Sequence, residues 1–145
     1  MNKKTISDFI NTTEEIRKLM EKQSCINYGE KIVPRLQFFA LKFISQNQGI
    51  TVGELADVLM MSSGSIAQLI ERLTSKGWVR KKVDEKDKRI FHISLTKMGE
   101  KEIFKMEKIF QKKMTAMLSL ISEEDSKQML ETLKKLREKL KKETC

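Results

Sequence analysis

Asp84 to Arg89 is an unbroken run of six charged side chains in the stretch "DEKDKRIFHISLT", after which apolar residues alternate at Phe91, Ile93 and Leu95. Lys86, Lys88 and Arg89 point to an anionic partner, and Asp84, Glu85 and Asp87 ought by charge alone to weaken that contact. Asp87 and Arg89 stand one residue apart, close enough for the carboxylate to hold the guanidinium or the loop backbone in place. Held that way, the arginine gives up less rotamer freedom on binding. The plainer alternative is that the acids only keep the loop soluble, since exposed ion pairs contribute about 0 to 1 kcal/mol.

Other chemistry-bearing residues are few. His92, the only histidine, falls on the opposite strand face from Phe91 and Ile93, and one histidine cannot build a three- or four-ligand zinc site. Cys25 and Cys145 form no metal-type cluster, and in a reducing compartment no structural disulfide is expected. As an exposed thiol of low pKa, Cys25, near Tyr28, would sense oxidants; the alternative is an ordinary thiol. No phosphate-binding glycine loop or paired-acid motif accompanies the lone histidine, so no nucleophile and base are supplied and neither enzyme activity nor a cofactor is expected.

At 145 residues the chain has the size of a single domain with a real core. Lys and Arg number 29 against 20 Asp and Glu, and the formal net charge of +9 favours nucleic acid or an anionic membrane surface as partner. No apolar run approaches the roughly 18 to 20 residues that span a bilayer, and Asp8 interrupts "MNKKTISDFI" as a signal-peptide core. The expectation is a cytoplasmic, nucleoid-associated protein with no membrane partner.

The elements that must carry the charged run follow from periodicity. Ile6, Phe9, Ile10, Ile16, Leu19 and Met20 recur at helical intervals, so Ile6 to Met20 is an amphipathic helix. "QSCINYGEKI" reads as a connection, and Pro34 suits the first turn of a second helix running to about Gln46. Apolar almost all round, that helix belongs in the core. Thr51 and Glu54 of "TVGEL" form a capping-box pattern, opening a short helix that ends near Met60. Ser62 or Ser63 starts another, with Ile66, Leu69, Ile70 and Leu73 inward and Lys76 and Gly77 closing it. Two short helices joined by a tight turn make a helix-turn-helix. "WVRKKV" and "RIFHISL" read as two strands around the tip Asp84 to Lys88, a hairpin of the kind called a wing. Thr96 caps a long helix bearing Ile103, Met106, Phe110, Met114, Met117 and Ile121, and "SEED" opens a last one with Met129, Leu133, Leu136 and Leu140 on one side. The fold class is therefore mostly α with a small β-hairpin wing.

The run from Ile50 to Glu100 resembles the winged helix-turn-helix core of the MarR family of bacterial transcription regulators. The resemblance rests on "ELA" in the first short helix, "RLTSKGWV" closing the second, the D-x-R of Asp87 and Arg89, and "LTKMG" opening the next helix, all in order. It extends through the flanking helices and implies one domain over residues 1–145: an N-terminal dimerisation helix and connection at 1–33, the winged core at 34–95, and C-terminal dimerisation helices at 96–145. It implies a homodimer on pseudopalindromic promoter DNA, usually a repressor, released by a small amphipathic or phenolic molecule. That effector would sit between the dimerisation helices and the winged helix, where Phe38 and Phe39 are candidates.

On that expectation, Ser63, Ser65, Ala67, Gln68 and Arg72 of the second short helix face a major groove. A glutamine can pair with adenine and an alanine can lie against a thymine methyl. Family members often carry Thr and Arg where this chain has Ala67 and Gln68, a departure that bears on base preference. Arg80, Lys81, Lys82, Lys86 and Lys88 would hold phosphates. Arg89, weakly hydrated, suits the narrow and strongly negative minor groove, with Asp87 positioning it. The alternatives are a thiol-based redox regulator using Cys25 and a winged-helix protein-interaction module. The C-terminal lysines read as a solvated face, and the nine methionines as packing rather than a ligand box.

Overall fold

In the computed structural model, residues 2–22, 25–28 and 31–143 are described, with side chains for 2–20 and 33–143. Six helices run in chain order: α1 (Lys3–Lys22), α2 (Arg35–Gln46), α3 (Val52–Val58), α4 (Ser63–Ser75), α5 (Lys97–Leu118) and α6 (Glu123–Glu143). Five strands accompany them: β1 (Cys25–Tyr28), β2 (Lys31–Pro34), β3 (Ile50–Thr51), β4 (Val79–Val83) and β5 (Phe91–Leu95). No helix among the described residues is long and apolar enough to cross a membrane.

Apolar residues cover more than one face of α2, and the helix is buried accordingly, with Phe38, Ala40, Leu41 and Ile44 wholly enclosed. The same core takes in Leu55 of α3, Ile66, Ile70 and Leu73 of α4, Ile93 of β5 and Ile103 and Met106 of α5, all buried. Pro34 stands just outside the helix, as its N-cap and the last residue of β2, rather than in its first turn. Its ψ of 143° is extended, so the ring ends a strand here. The expected connection at 23–32 is also corrected. Cys25–Tyr28 pairs antiparallel with Lys31–Pro34, Ile26 opposite Val33, as the β-branched Ile26, Ile32 and Val33 favour.

The wing has three strands, in the order β3-β5-β4, where two were expected. Ile50 pairs with Ile93 and Thr51 with His92, and on the other side of β5 Val79 pairs with Leu95 through to Val83 with Phe91. The strands are also shorter than expected, because Trp78 and Arg89–Ile90 lie outside the ladder. Gly49, at φ +82°, turns the chain into β3. The Gln48 side chain accepts the Leu95 amide at 2.9 Å.

One junction joins α4, both long strands and α5. Leaving α4, the chain reverses at Gly77, at φ +72°, where L side chains are disfavoured. The Thr96 hydroxyl donates to the Gly77 carbonyl at 2.5 Å and accepts the Gly99 amide at 3.0 Å, while the Thr96 amide donates to the Trp78 carbonyl at 3.0 Å. Thr96 thus caps α5 and closes the wing at once. Gly99 is buried against the Trp78 carbonyl so tightly that a Cβ built there would lie 1.9 Å from that oxygen.

The chain divides into two compact units, Met1–Glu107 and Lys108–Cys145. In the second, α6 is capped by Ser122, whose hydroxyl accepts the Asp125 amide at 3.0 Å. None of the residues of α6 is buried by the chain itself. We expect Gly99→Ala to destabilise the fold by about 1 to 3 kcal/mol or more, the range typical of overpacking, because the clash is with backbone. Chemical denaturation with an unchanged m-value would check it; a midpoint equal to wild type would show that α5 can shift away from Trp78.

Candidate nucleic-acid interface

The helix-turn-helix is fixed at both starts by side-chain caps. The Thr51 hydroxyl accepts the Glu54 amide at 3.1 Å, and the Glu54 carboxylate accepts the Thr51 amide at 2.9 Å, a complete capping box. The Thr51 amide, and then the Thr51 hydroxyl, which also donates to the Glu54 carboxylate at 3.0 Å, hold the Glu54 carboxyl below its usual range. The chain then turns through Met60 in the left-handed region, at φ +51°. Ser62 caps α4 by accepting the Ser65 amide at 3.2 Å.

Helix α4 buries Ile66, Leu69, Ile70 and Leu73 and leaves Ser63, Ser65, Ala67, Gln68, Glu71 and Arg72 exposed. Ser65, Gln68 and Arg72 recur at three and four residues and so share one outward stripe. At its C-terminal end the Lys76 ammonium donates to the buried Gln37 Oε1 at 2.8 Å and lies 4.5 Å from the centre of the Trp78 ring. That end of α4 is anchored to α2 and to Trp78, the residue just before β4.

The wing's two faces differ. Pairing parity puts Lys81 on the face of Phe91 and Ile93, and Arg80 and Lys82 on the face of Ser94 and His92. Lys81 lies 5.3 Å from the Phe91 ring centre and lines a groove of about 520 Å³ with Ser63, Ala67 and Arg89, between α4 and the wing. Arg80, Lys82 and Lys86 line a second groove with Gly49 and His92. Lys81 and Lys82, alike in sequence as phosphate-holding candidates, therefore differ: Lys81 borders both grooves and Lys82 only the second. Among the described residues Arg72, Arg80, Lys82, Lys86 and Lys88 enter no ion pair and remain available to an external anion.

At the tip the acids have separate structural tasks. Asp87 accepts from the Arg89 amide at 3.0 Å, from Arg89 Nε at 3.1 Å and, through its other oxygen, from Arg89 Nη2 at 3.1 Å. The Arg89 side chain is thus held by two prongs while 91% exposed, and this contact keeps the Asp87 carboxyl below its usual range. Asp84 accepts the amides of Lys86 at 2.9 Å and Asp87 at 3.0 Å through one oxygen, and through the other it meets His92 Nε2 at 2.7 Å. The His92 contact and then these two amides lower its pKa to about 2. Asp84 and His92 are the residues that sequence reasoning missed. A side chain bonding amides two and three residues ahead is the usual habit of aspartate in turns, and that signal was present. Phe38 is enclosed in the core and Phe39 half-buried beneath Arg35. Cys25 opens β1, but its side chain, like all of Cys145, lies outside the described residues.

A sequence model of the MarR family matches residues 33–90. The HTH-type transcriptional regulator BilQ of Clostridium symbiosum is 33% identical over 101 residues, covering 70% of this chain and 69% of that protein. The chain belongs to the MarR family. Solved structures agree in fold: the S. aureus MepR–DNA complex covers 91% of this chain and 97% of its own at 24% identity, with a TM-score of 0.73. A MarR transcriptional regulator from Methanosarcina mazei Go1 covers 97% and 99% at 25% identity, also with a TM-score of 0.73. These MarR relatives are regulators rather than enzymes.

Proposed function

We propose that this chain is a sequence-specific, duplex-DNA-binding transcriptional regulator that represses as a homodimer. The observation that carries the reading is the shared exposure of a capped helix, α4, and a three-stranded wing whose free cations flank it, with Arg89 held outward at the tip by Asp87. Its relatives' names and the DNA-bound MepR structure support the same reading. In it, Gln68 reads a base edge from the major groove, with Ser65 and Ala67 beside it. Lys82, Arg80 and Lys86 hold phosphates, and Arg89 enters the adjacent minor groove. Release by a small amphipathic or phenolic ligand needs a coupling energy of only about 1 to 3 kcal/mol.

Dimerisation follows from area left uncovered. Ile6, Phe9, Ile10, Ile16 and Leu19 of α1, and Met129, Leu133 and Leu136 of α6, are each 40% exposed or more. Apolar stripes repeating at helical spacing along two long helices are the pattern that a second copy buries. The two recognition helices then meet half-sites about 34 to 36 Å apart on a pseudopalindrome.

Sedimentation at micromolar concentration should give the mass of a dimer; a monomer would remove the two-fold reading. On a duplex selected by the protein from a random library, Gln68→Ala should relax preference at one position, at a cost of about 1 to 3 kcal/mol, whereas Lys82→Ala should weaken all duplexes alike and lower the salt slope by about one. The same pattern in both variants would erase this division of roles. Arg89→Ala should lose most binding to that duplex, and Asp87→Ala should weaken it despite the added positive charge, both remaining folded. Tighter binding by Asp87→Ala would make the acid a brake on non-specific affinity instead.

A further inference from the structure

His92 faces Thr51 across one edge of β5 and Lys82 across the other. Its Nδ1 lies 2.8 Å from the Gly49 carbonyl oxygen and its Nε2 lies 2.7 Å from Asp84 Oδ1. A carbonyl and an ionised carboxylate only accept, so both bonds form together only when both ring nitrogens carry protons. Asp84 Oδ2 in turn accepts the Lys86 and Asp87 amides, and Asp87 grips Arg89. Gly49, on the turn into β3, is thereby joined to the tip arginine by a continuous series of polar contacts.

We propose that His92 is a positioning residue for DNA recognition: as imidazolium it fastens the wing-tip turn to the Gly49 carbonyl, so that Arg89 is presented to DNA in one orientation. This rests on the reading of the wing as a DNA contact and adds a residue that touches no DNA itself. The charged groups around the ring are Asp84, Glu85 and Lys86 of the tip, Arg80 and Lys82 of β4, and Glu54 of α3. The contacts with Asp84 and then Gly49 raise the His92 pKa, and the charge of Glu54 adds to them. Partial burial of the ring opposes that shift without reversing it. Asp84, held at about 2, stays ionised throughout. His92 is therefore charged below its ordinary value of 6.5 and loses a proton only as pH rises through the raised one. One ring nitrogen then becomes an acceptor facing an acceptor, and the latch opens on that side. Apparent Kd rises as the fraction of correctly ordered tips falls.

The test uses the full chain and a duplex enriched from a random library by the wild-type protein, with affinity read by fluorescence anisotropy at low salt from about pH 6 to about pH 9. Wild-type affinity should fall about tenfold across that range, the factor set by a competent fraction reduced to about one tenth. His92→Gln should bind about tenfold more weakly at the acid end, with a flat profile. Asp84→Asn keeps an oxygen for the two amides and offers an N–H to a neutral imidazole, so it should bind within about threefold of wild type at the alkaline end, also with a flat profile. In an Arg89→Ala background, His92→Gln should cost less than about twofold, since its effect runs through the arginine. Thermal melting would show each variant folded; were His92→Gln unfolded, the Asp84→Asn profile alone decides. An undiminished pH dependence in folded His92→Gln or Asp84→Asn would overturn the proposal, as would an equal loss from His92→Gln with and without Arg89. If no duplex is enriched, the DNA reading itself falls and this proposal with it, an outcome distinct from enrichment with an unaltered profile.

Discussion

The hydrogen bond from the Thr96 hydroxyl to the Gly77 carbonyl, with Gly99 pressed against Trp78, is the constraint on which the proposed reading head of α4 and wing depends. Four element ends meet there: the exit of α4, the start of β4, the end of β5 and the start of α5. Leu73, Trp78, Val79 and Leu95 are buried around it. Because the α4 exit and the wing's base are tied at one point, the angle between recognition helix and wing is set by packed backbone rather than by a loop. A site carried on elements fixed in this way keeps its geometry without help from its ligand. Lys76, held by Gln37 and lying over Trp78, adds a second tie on the same end of α4.

Charge counting alone would make the acids of the tip opponents of DNA binding, whereas the proposed reading makes them positioning groups. An exposed ion pair is worth about 0 to 1 kcal/mol, while an arginine that must be ordered on binding gives up rotamer entropy of up to about 2 kcal/mol. An acid that orders Arg89 beforehand can therefore raise affinity although it lowers the total positive charge. Asp84 and Asp87 act on different objects: one organises the turn's amides, the other the guanidinium. Glu85, exposed and with no hydrogen bond of its own among those of the tip, is the member of the run that fits the solubility reading.

Several of these features were legible in the sequence because local chemistry decides them. Thr51 and Glu54 cap α3 as their spacing implies, the inward face of α4 is the one its periodicity marks, and Gly77 reverses the chain where Lys76 and Gly77 suggested a stop. The wing's third strand was not legible, since two residues, Ile50 and Thr51, carry no period, and their pairing with β5 is decided by distant sequence. The β1–β2 ribbon was hidden because Asn27 and Gly29 read as loop while its strand character rests on pairing. Lys81 and Lys82 were separable in principle, because adjacent strand residues point to opposite faces and Lys81 shares parity with Phe91 and Ile93 once register is known. The role proposed for His92 needed the Gly49 carbonyl, 43 residues away in sequence.

The outer helices present the opposite situation to the reading head. A helix of 21 residues with no buried side chain has little holding it beyond its own backbone bonds and its exposed pairs, such as Lys127 with Glu123 and Lys134 with Glu131. Helical stability in proteins comes mainly from packing an amphipathic face. In the proposed dimer that packing is supplied between copies, so the contacts that stabilise α1 and α6 are also those that fix how far apart two rigid heads stand. Spacing and assembly then share one set of side chains. A ligand altering those contacts needs no effect on α4 or the wing to change operator affinity, because displacing one half-site relative to the other breaks simultaneous engagement while each head keeps its shape.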